Sequence, residues 1–132
     1  MSGPDRGQRG HALHRLPRSQ RIRKRRDFLR IQEGEARARR VGTPHLLLLV
    51  ASRDDGGPPR LGIVASRKVG PAVARNRAKR LVREAFRLHP EVFPAGVDVV
   101  AIVRPGAHTL GLAELAAEVV RAAPAIGRRA RA

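Results

Sequence analysis

From Ala74 the chain reads Arg75-Asn76-Arg77-Ala78-Lys79-Arg80-Leu81-Val82-Arg83-Glu84-Ala85-Phe86-Arg87-Leu88, with six cations and one acid. At about 3.6 residues per turn, Ala78, Leu81, Val82, Ala85 and Leu88 share one helix face. Asn76, Lys79, Arg80, Arg83 and Arg87 fall on the other, with Arg75 and Arg77 near the helix start. Such a stripe suits phosphates, because the planar guanidinium fork binds two phosphate oxygens at once. Chemistry by the chain itself has no comparable support. Asp54 and Asp55 stand among Gly and Pro and read as turn residues. Asp98 stands alone near a strand start, and His11, His14, His45, His89 and His108 are scattered. Neither a catalytic site nor a metal site is expected from these residues.

The elements that must position the basic stripe follow from periodicity and punctuation. A short helix is expected over 25–33, ended by Gly34. His45–Ala51 reads as a strand entering a hairpin loop, with residues 60–65 as the returning strand. Gly70 and Pro71 precede a helix over 72–88, and Pro94 and Gly96 introduce a third strand, Val97–Val103. Leu112, Leu115, Ala116, Val119 and Val120 form the stripe of a last helix, with Pro124 as its end. The expected fold is α+β, a two-layer sandwich of a small mixed sheet with helices packed on it, in the order helix-strand-strand-helix-strand-helix. Residues 1–20 read as a disordered basic tail, 21–123 as one domain and 124–132 as a frayed basic tail.

Composition narrows the partner. The 132 residues carry 28 Lys+Arg against 11 Asp+Glu, a net charge of +17, and no cysteine. A disulfide framework and a thiolate zinc site are therefore excluded. No apolar run exceeds six residues, and no signal peptide is evident, so a soluble cytoplasmic protein without membrane partners is expected. The charge is blocked: +9 over residues 1–40, +7 over 67–87 and +4 over 121–132, against −3 over 88–120. Blocks point to a binding face for a polyanion, most simply nucleic acid. A recognition helix for a DNA major groove fits less well, since no short helix precedes the basic one at a tight turn.

Arg75-Asn76-Arg77-x-Lys79-Arg80-x-x-Arg83-Glu84-x-Phe86-Arg87 resembles the signature of the bacterial ribonuclease P protein subunit. Leu61-Gly62-Ile63-Val64-Ala65-Ser66-Arg67-Lys68-Val69-Gly70 is similar to that family's preceding strand and turn, and Asp27-Phe28 to its first helix. The resemblance implies an accessory subunit of an endoribonuclease that removes the 5′ leader of precursor tRNA. In that family the RNA subunit, with its magnesium ions, performs the hydrolysis. A monomeric protein in a 1:1 complex with the catalytic RNA, binding precursor tRNA and no cofactor of its own, is thereby implied. So is a left-handed crossover between parallel strands, against the usual right-handed rule. The resemblance assigns Arg67, Lys68, Arg75, Asn76, Arg77, Lys79, Arg80, Arg83 and Arg87 to the RNA subunit. It assigns Phe28, Leu48, Arg60 and Ser66 to a leader cleft between the sheet and the first helix. Gln32 replaces a second aromatic there, and Pro71 replaces a common Asn. With Phe28, Phe86 and Phe93 the only aromatics, leader contacts should rest more on charge than on stacking. A ribosomal or other structural RNA-binding protein is the alternative that shares the charge but lacks the signature.

Overall fold

Val97–Val103 (β4) carries six apolar residues out of seven and is buried at every position except Ile102, which is half-buried. Such a strand is stable only with both faces covered, so it takes the centre of the sheet. The structure, a computed structural model, describes residues 16–32, 38–53 and 56–131. Its helices are α1 (Arg25–Gln32), α2 (Ala72–Leu88), α3 (Leu112–Arg121) and α4 (Ala123–Arg131). The other strands are β1 (Arg39–Gly42), β2 (Leu46–Ser52) and β3 (Arg60–Val64). The sheet order is β1-β2-β4-β3, antiparallel except for the parallel β3–β4 pair. The α+β sandwich expected from sequence is the observed fold.

The expected hairpin between β2 and β3 does not form, because β4 lies between them. Their connection is no tight turn that would force adjacency. It is fastened to the β4 lead-in instead, through Arg53 N–Gly96 O and Gly96 N–Gly57 O bonds, both 2.6 Å. Gly56 (φ 66°) and Gly96 (φ 78°) supply the left-handed conformations this crossing uses. Strand β1 adds a fourth strand that the sequence pattern does not signal, since Val41 is the one apolar residue in Arg39-Arg40-Val41-Gly42.

Two apolar layers result. On one face Leu46, Leu48, Val50, Val99 and Val103 pack against Ala78, Val82, Ala85 and Phe86 of α2, Leu115 and Val119 of α3, and Ile126 of α4. The rings of Phe86 and Phe93 stack there with centroids 4.4 Å apart. Phe86 is buried in this layer, whereas Leu88, expected inside, is 45% exposed at the helix end. On the other face Ile22 and Ile31 cover Leu49, Ala51 and Val100. Residues 16–20 and 123–131 are more structured than their composition suggests. Leu16 is buried, and Ile22 N donates to Leu61 O (3.0 Å) beside the β3 edge, so ordered structure reaches into the segment read as a tail. Pro124 does not end the helical region. It sits in the first turn of α4, where the missing N–H costs nothing, and Ile126 is fully buried. Gly34, Asp54, Asp55, His11 and His14 lie outside the described residues.

Glu118 of α3, buried, clasps the turn between β1 and β2. Its carboxylate accepts from Thr43 Oγ1 (2.5 Å) and His45 N (2.8 Å), and contacts His45 Nδ1 (2.8 Å). Burial alone would push its pKa up, but the hydrogen bonds from Thr43 and His45 outweigh it and hold the group below its ordinary value of 4.5. A depressed folded-state pKa contributes stability above the ordinary carboxylate range and loses it as pH falls through the folded value. Glu118→Gln should therefore lower stability at pH 7 by about 1–3 kcal/mol. The deficit should shrink toward acid pH. Urea melts of both proteins at pH 7 and pH 3.5 check this, and a deficit independent of pH would refute it.

Candidate nucleic-acid interface

The basic stripe lies where the periodicity placed it, but its members divide into two groups. Asn76, Arg77 and Arg80 are exposed on α2, and Arg67 and Lys68 are exposed on the 67–69 turn before it. Ser66 caps that turn, its hydroxyl accepting from Lys68 N (3.3 Å). Gly70 closes the turn with φ 142°, a conformation few side chains tolerate. Arg77 Nε donates to His108 O (2.8 Å), which fastens the start of α2 to the 107–109 turn. Arg75 Nε is buried without a hydrogen-bond partner.

Lys79 and Arg83 point elsewhere. They line a cleft of about 290 Å³ with Arg21, Arg23, Phe28 and the β3 residues Leu61, Gly62 and Ile63. The Arg83 guanidinium has its pKa lowered, first by burial and then by repulsion from Arg21 and Arg80. Arg21 Nε is also buried without a hydrogen-bond partner. A pocket that gathers cations with no acid among its lining residues has an unmet demand for anions. Arg21 and Arg23 were not singled out from sequence. The signal available was the basic run Arg21-Ile22-Arg23-Lys24-Arg25-Arg26 ahead of α1.

The Phe28 ring lies over Gly62. A Cβ built on Gly62 would stand 2.5 and 2.6 Å from Phe28 Cε1 and Cζ, so only glycine admits the ring. Phe28 is half-buried, part of the α1 layer and also part of the cleft wall. Beyond α1 the same sheet face stays partly open. Val64, Ile102 and Leu47 are register neighbours across β3, β4 and β2, each half-buried, with exposed Gly42 next on β1. Arg40 shares the face of Gly42 by strand alternation, and Arg104 Nη2 would stand 3.2 Å from a Cβ at Gly42. A half-exposed apolar row with arginines at one end and a phenyl ring and cations at the other can take a strand of phosphates and bases.

Three expected contacts require correction or relocation. Leu48 is 2% exposed and faces α2, inside the main core, so it is not available to a ligand. Strand alternation puts Leu47 and Leu49 on the α1 face instead, and a one-residue slip in alignment reverses that assignment. Arg60 is held by Asp98, with Nε 2.8 Å from Oδ1 and Nη2 2.7 Å from Oδ2. Asp98 is therefore not alone. Arg87 forks onto Glu84 (2.9 and 3.2 Å), which raises the Arg87 pKa and turns this cation from a free charge into half of an ion pair. Among the described residues no group of three or more His, Asp or Glu is gathered, and no helix is long and apolar enough to cross a membrane.

A family model described as Ribonuclease P matches residues 16–126. The chain belongs to the ribonuclease P protein family. It is 44% identical over 119 residues to the ribonuclease P protein component of Desulfovibrio desulfuricans, covering 88% of this chain and 87% of that one. It is 40% identical over 104 residues to that of Syntrophus aciditrophicus, covering 79% and 84%. Among solved structures it is similar to the RNase P protein of Staphylococcus aureus, with TM-score 0.68 and 28% identity over 83% of this chain and 96% of that one. The Thermotoga maritima protein gives TM-score 0.67 and 30% identity over 85% and 96%. The match begins at Leu16, the first buried residue described, and ends at Ile126, which closes the core from α4. The family match thus takes in residues 16–20 and 124–126 from the two segments read as tails.

Proposed function

We propose that this chain is the protein subunit of a bacterial ribonuclease P. It binds the catalytic RNA through the outer face of α2 and the 67–69 turn, and the 5′ leader of precursor tRNA through the cleft and open row. The observation that carries the reading is the division of the signature cations. Arg77 and Arg80, with Asn76, are exposed outside the cleft, while Lys79, half-buried, and Arg83, exposed at its rim, line it beside Phe28. One helix thereby serves two RNA segments at once, which is what an accessory subunit must do to hold a substrate leader against the catalytic RNA. Hydrolysis belongs to the RNA subunit and its magnesium ions. The protein supplies cations that screen phosphate repulsion and a surface that orients the leader. Phe28 offers one ring face or edge to a base, and Lys79 and Arg83 take the neighbouring phosphates.

The test is reconstitution of the protein with a bacterial ribonuclease P RNA, assayed on precursor and mature tRNA at low magnesium. Arg80→Ala should weaken binding to the RNA subunit equally with and without a leader. Phe28→Ala should reduce precursor affinity alone, by about 1–3 kcal/mol if the ring stacks on a base. A destabilised Phe28→Ala protein with unaltered leader affinity would make the ring core filler and remove it from the site. No stimulation of cleavage by the wild-type protein would overturn the reading itself.

A further inference from the structure

The C-terminal charge block remains unexplained by the α2 face and the cleft, and the fold brings it to an unexpected neighbour. Helix α4 packs on β1 and β2 through Ile126, so Arg128, about 200° further round the helix, is exposed on the side away from the sheet. Arg121, also exposed, shares a shallow pocket with Val41, Gly42, Thr43 and Pro44, which places it at the end of β1. Arg39, exposed, opens β1 and lies on the α4 side of the sheet, the side of buried Val41. Arg39 and Arg121 thus stand at the two ends of β1, and Arg128 is carried by the helix that packs on that edge strand. Among the described residues none of the three has an ion-pair partner. The acids of α3 do not neutralise them, since Glu118 is spent on Thr43 and His45 and Glu114 accepts from Gly111 N (2.8 Å).

We infer that this edge, carried by Arg39, Arg121 and Arg128, is a third RNA-binding surface, which grips the phosphate backbone of a segment of the catalytic RNA distinct from the one on α2. The inference rests on the reading of the chain as a ribonuclease P protein. Sheet order sets the two faces apart: α4 packs on β1 and β2, while the 67–69 turn follows β3 at the opposite edge. Phosphate is the partner the chemistry favours: three unpaired guanidiniums beside an edge strand offer forked donors and no apolar anchor. Basic residues also serve to keep an edge strand from pairing with another chain, and that role predicts a different outcome.

The full-length chain with Arg39→Gln, Arg121→Gln and Arg128→Gln should bind a bacterial ribonuclease P RNA roughly tenfold more weakly at 150 mM salt. The slope of log affinity against log salt should fall by about 2, the share of two to three phosphates. Arg→Lys at the same positions should restore the slope. The natural absence of cysteine allows a single tethered cleavage probe, at Gly127→Cys in one protein and Pro71→Cys in another, with all three arginines intact. The two probes should cut different RNA segments. Unchanged affinity and slope, with self-association of the Gln variant, would make these arginines edge guards and overturn the inference. Cuts from position 127 that coincide with those from position 71 would do the same. If Arg80→Ala also leaves RNA affinity unchanged, it is the reading of the chain as a ribonuclease P subunit that fails.

Discussion

Asp98→Ala should destabilise the protein by roughly 3–5 kcal/mol, the scale for removing one partner from a buried ion pair. Asp98 is 3% exposed and stands opposite Ala51 of β2 and Arg60 of β3, where three strands meet. Arg53 Nη1 reaches Oδ1 at 2.6 Å, and the same guanidinium donates to Val97 O (2.8 Å) and Pro58 O (2.7 Å). Arg60 supplies a two-pronged pair on the other side. Removing the carboxylate leaves two guanidiniums facing each other with 14% and 28% of their side chains exposed. Arg60 keeps some access to water, which pulls the expected loss toward the lower end of the range. Asp98→Asn should cost less, since its oxygen still accepts a bond. Arg60→Ala should appear mainly as lost stability with little leader-specific effect, because its side chain is already committed. Urea unfolding with a common m-value checks all three. A loss below 1 kcal/mol for Asp98→Ala would reduce the clamp to an ordinary surface pair.

That clamp marks the boundary of what the sequence makes legible. Helix α2 occupies residues 72–88 as expected, and β4 occupies 97–103, because each has an unbroken pattern and a Gly or Pro before it. The partner of Asp98 is invisible in one dimension, since Arg53 and Arg60 lie some forty residues away across two strands. The absent hairpin has the same origin. Local punctuation between β2 and β3 resembles a turn, yet β4 gains more by burying both faces between them than they gain by pairing. Leu48 shows how fine the margin is: the strand is visible in the apolar run, but six consecutive apolar residues carry no alternation to say which side faces α1. Gly62 is one glycine among thirteen in the sequence, and only the ring of Phe28 above it gives it a role. The cleft cations were half legible, since Lys79 and Arg83 belong to the recognisable stripe. Their place on the cleft wall depends on Arg21, which reaches the site through the bridge to Leu61.

Binding to a ribonuclease P RNA that carries precursor tRNA should weaken roughly a thousandfold between 50 and 200 mM monovalent salt. Each neutralised phosphate contributes about −0.9 on duplex or −0.7 on single-stranded RNA to the log–log slope, and about six contacts give that loss. The cations available for them are Arg67, Lys68, Arg77 and Arg80 on the outer face, with Lys79 and Arg83 in the cleft. Arg87 is left out because Glu84 already balances it. The two groups should separate in the titration. Precursor tRNA carries a leader into the cleft and mature tRNA does not, so Lys79→Gln with Arg83→Gln should flatten the salt slope for precursor more than for mature substrate. Arg80→Gln should flatten both alike. The repulsion of Arg83 by Arg21 and Arg80 sharpens the expectation, because a bound phosphate offsets it and no acid lines the cleft. A nearly flat titration of the wild-type complex would show that these charges stay solvated and do not form the interface. Equal slopes for the cleft variant on both substrates would detach Lys79 and Arg83 from the leader and return them to the face that grips the catalytic RNA.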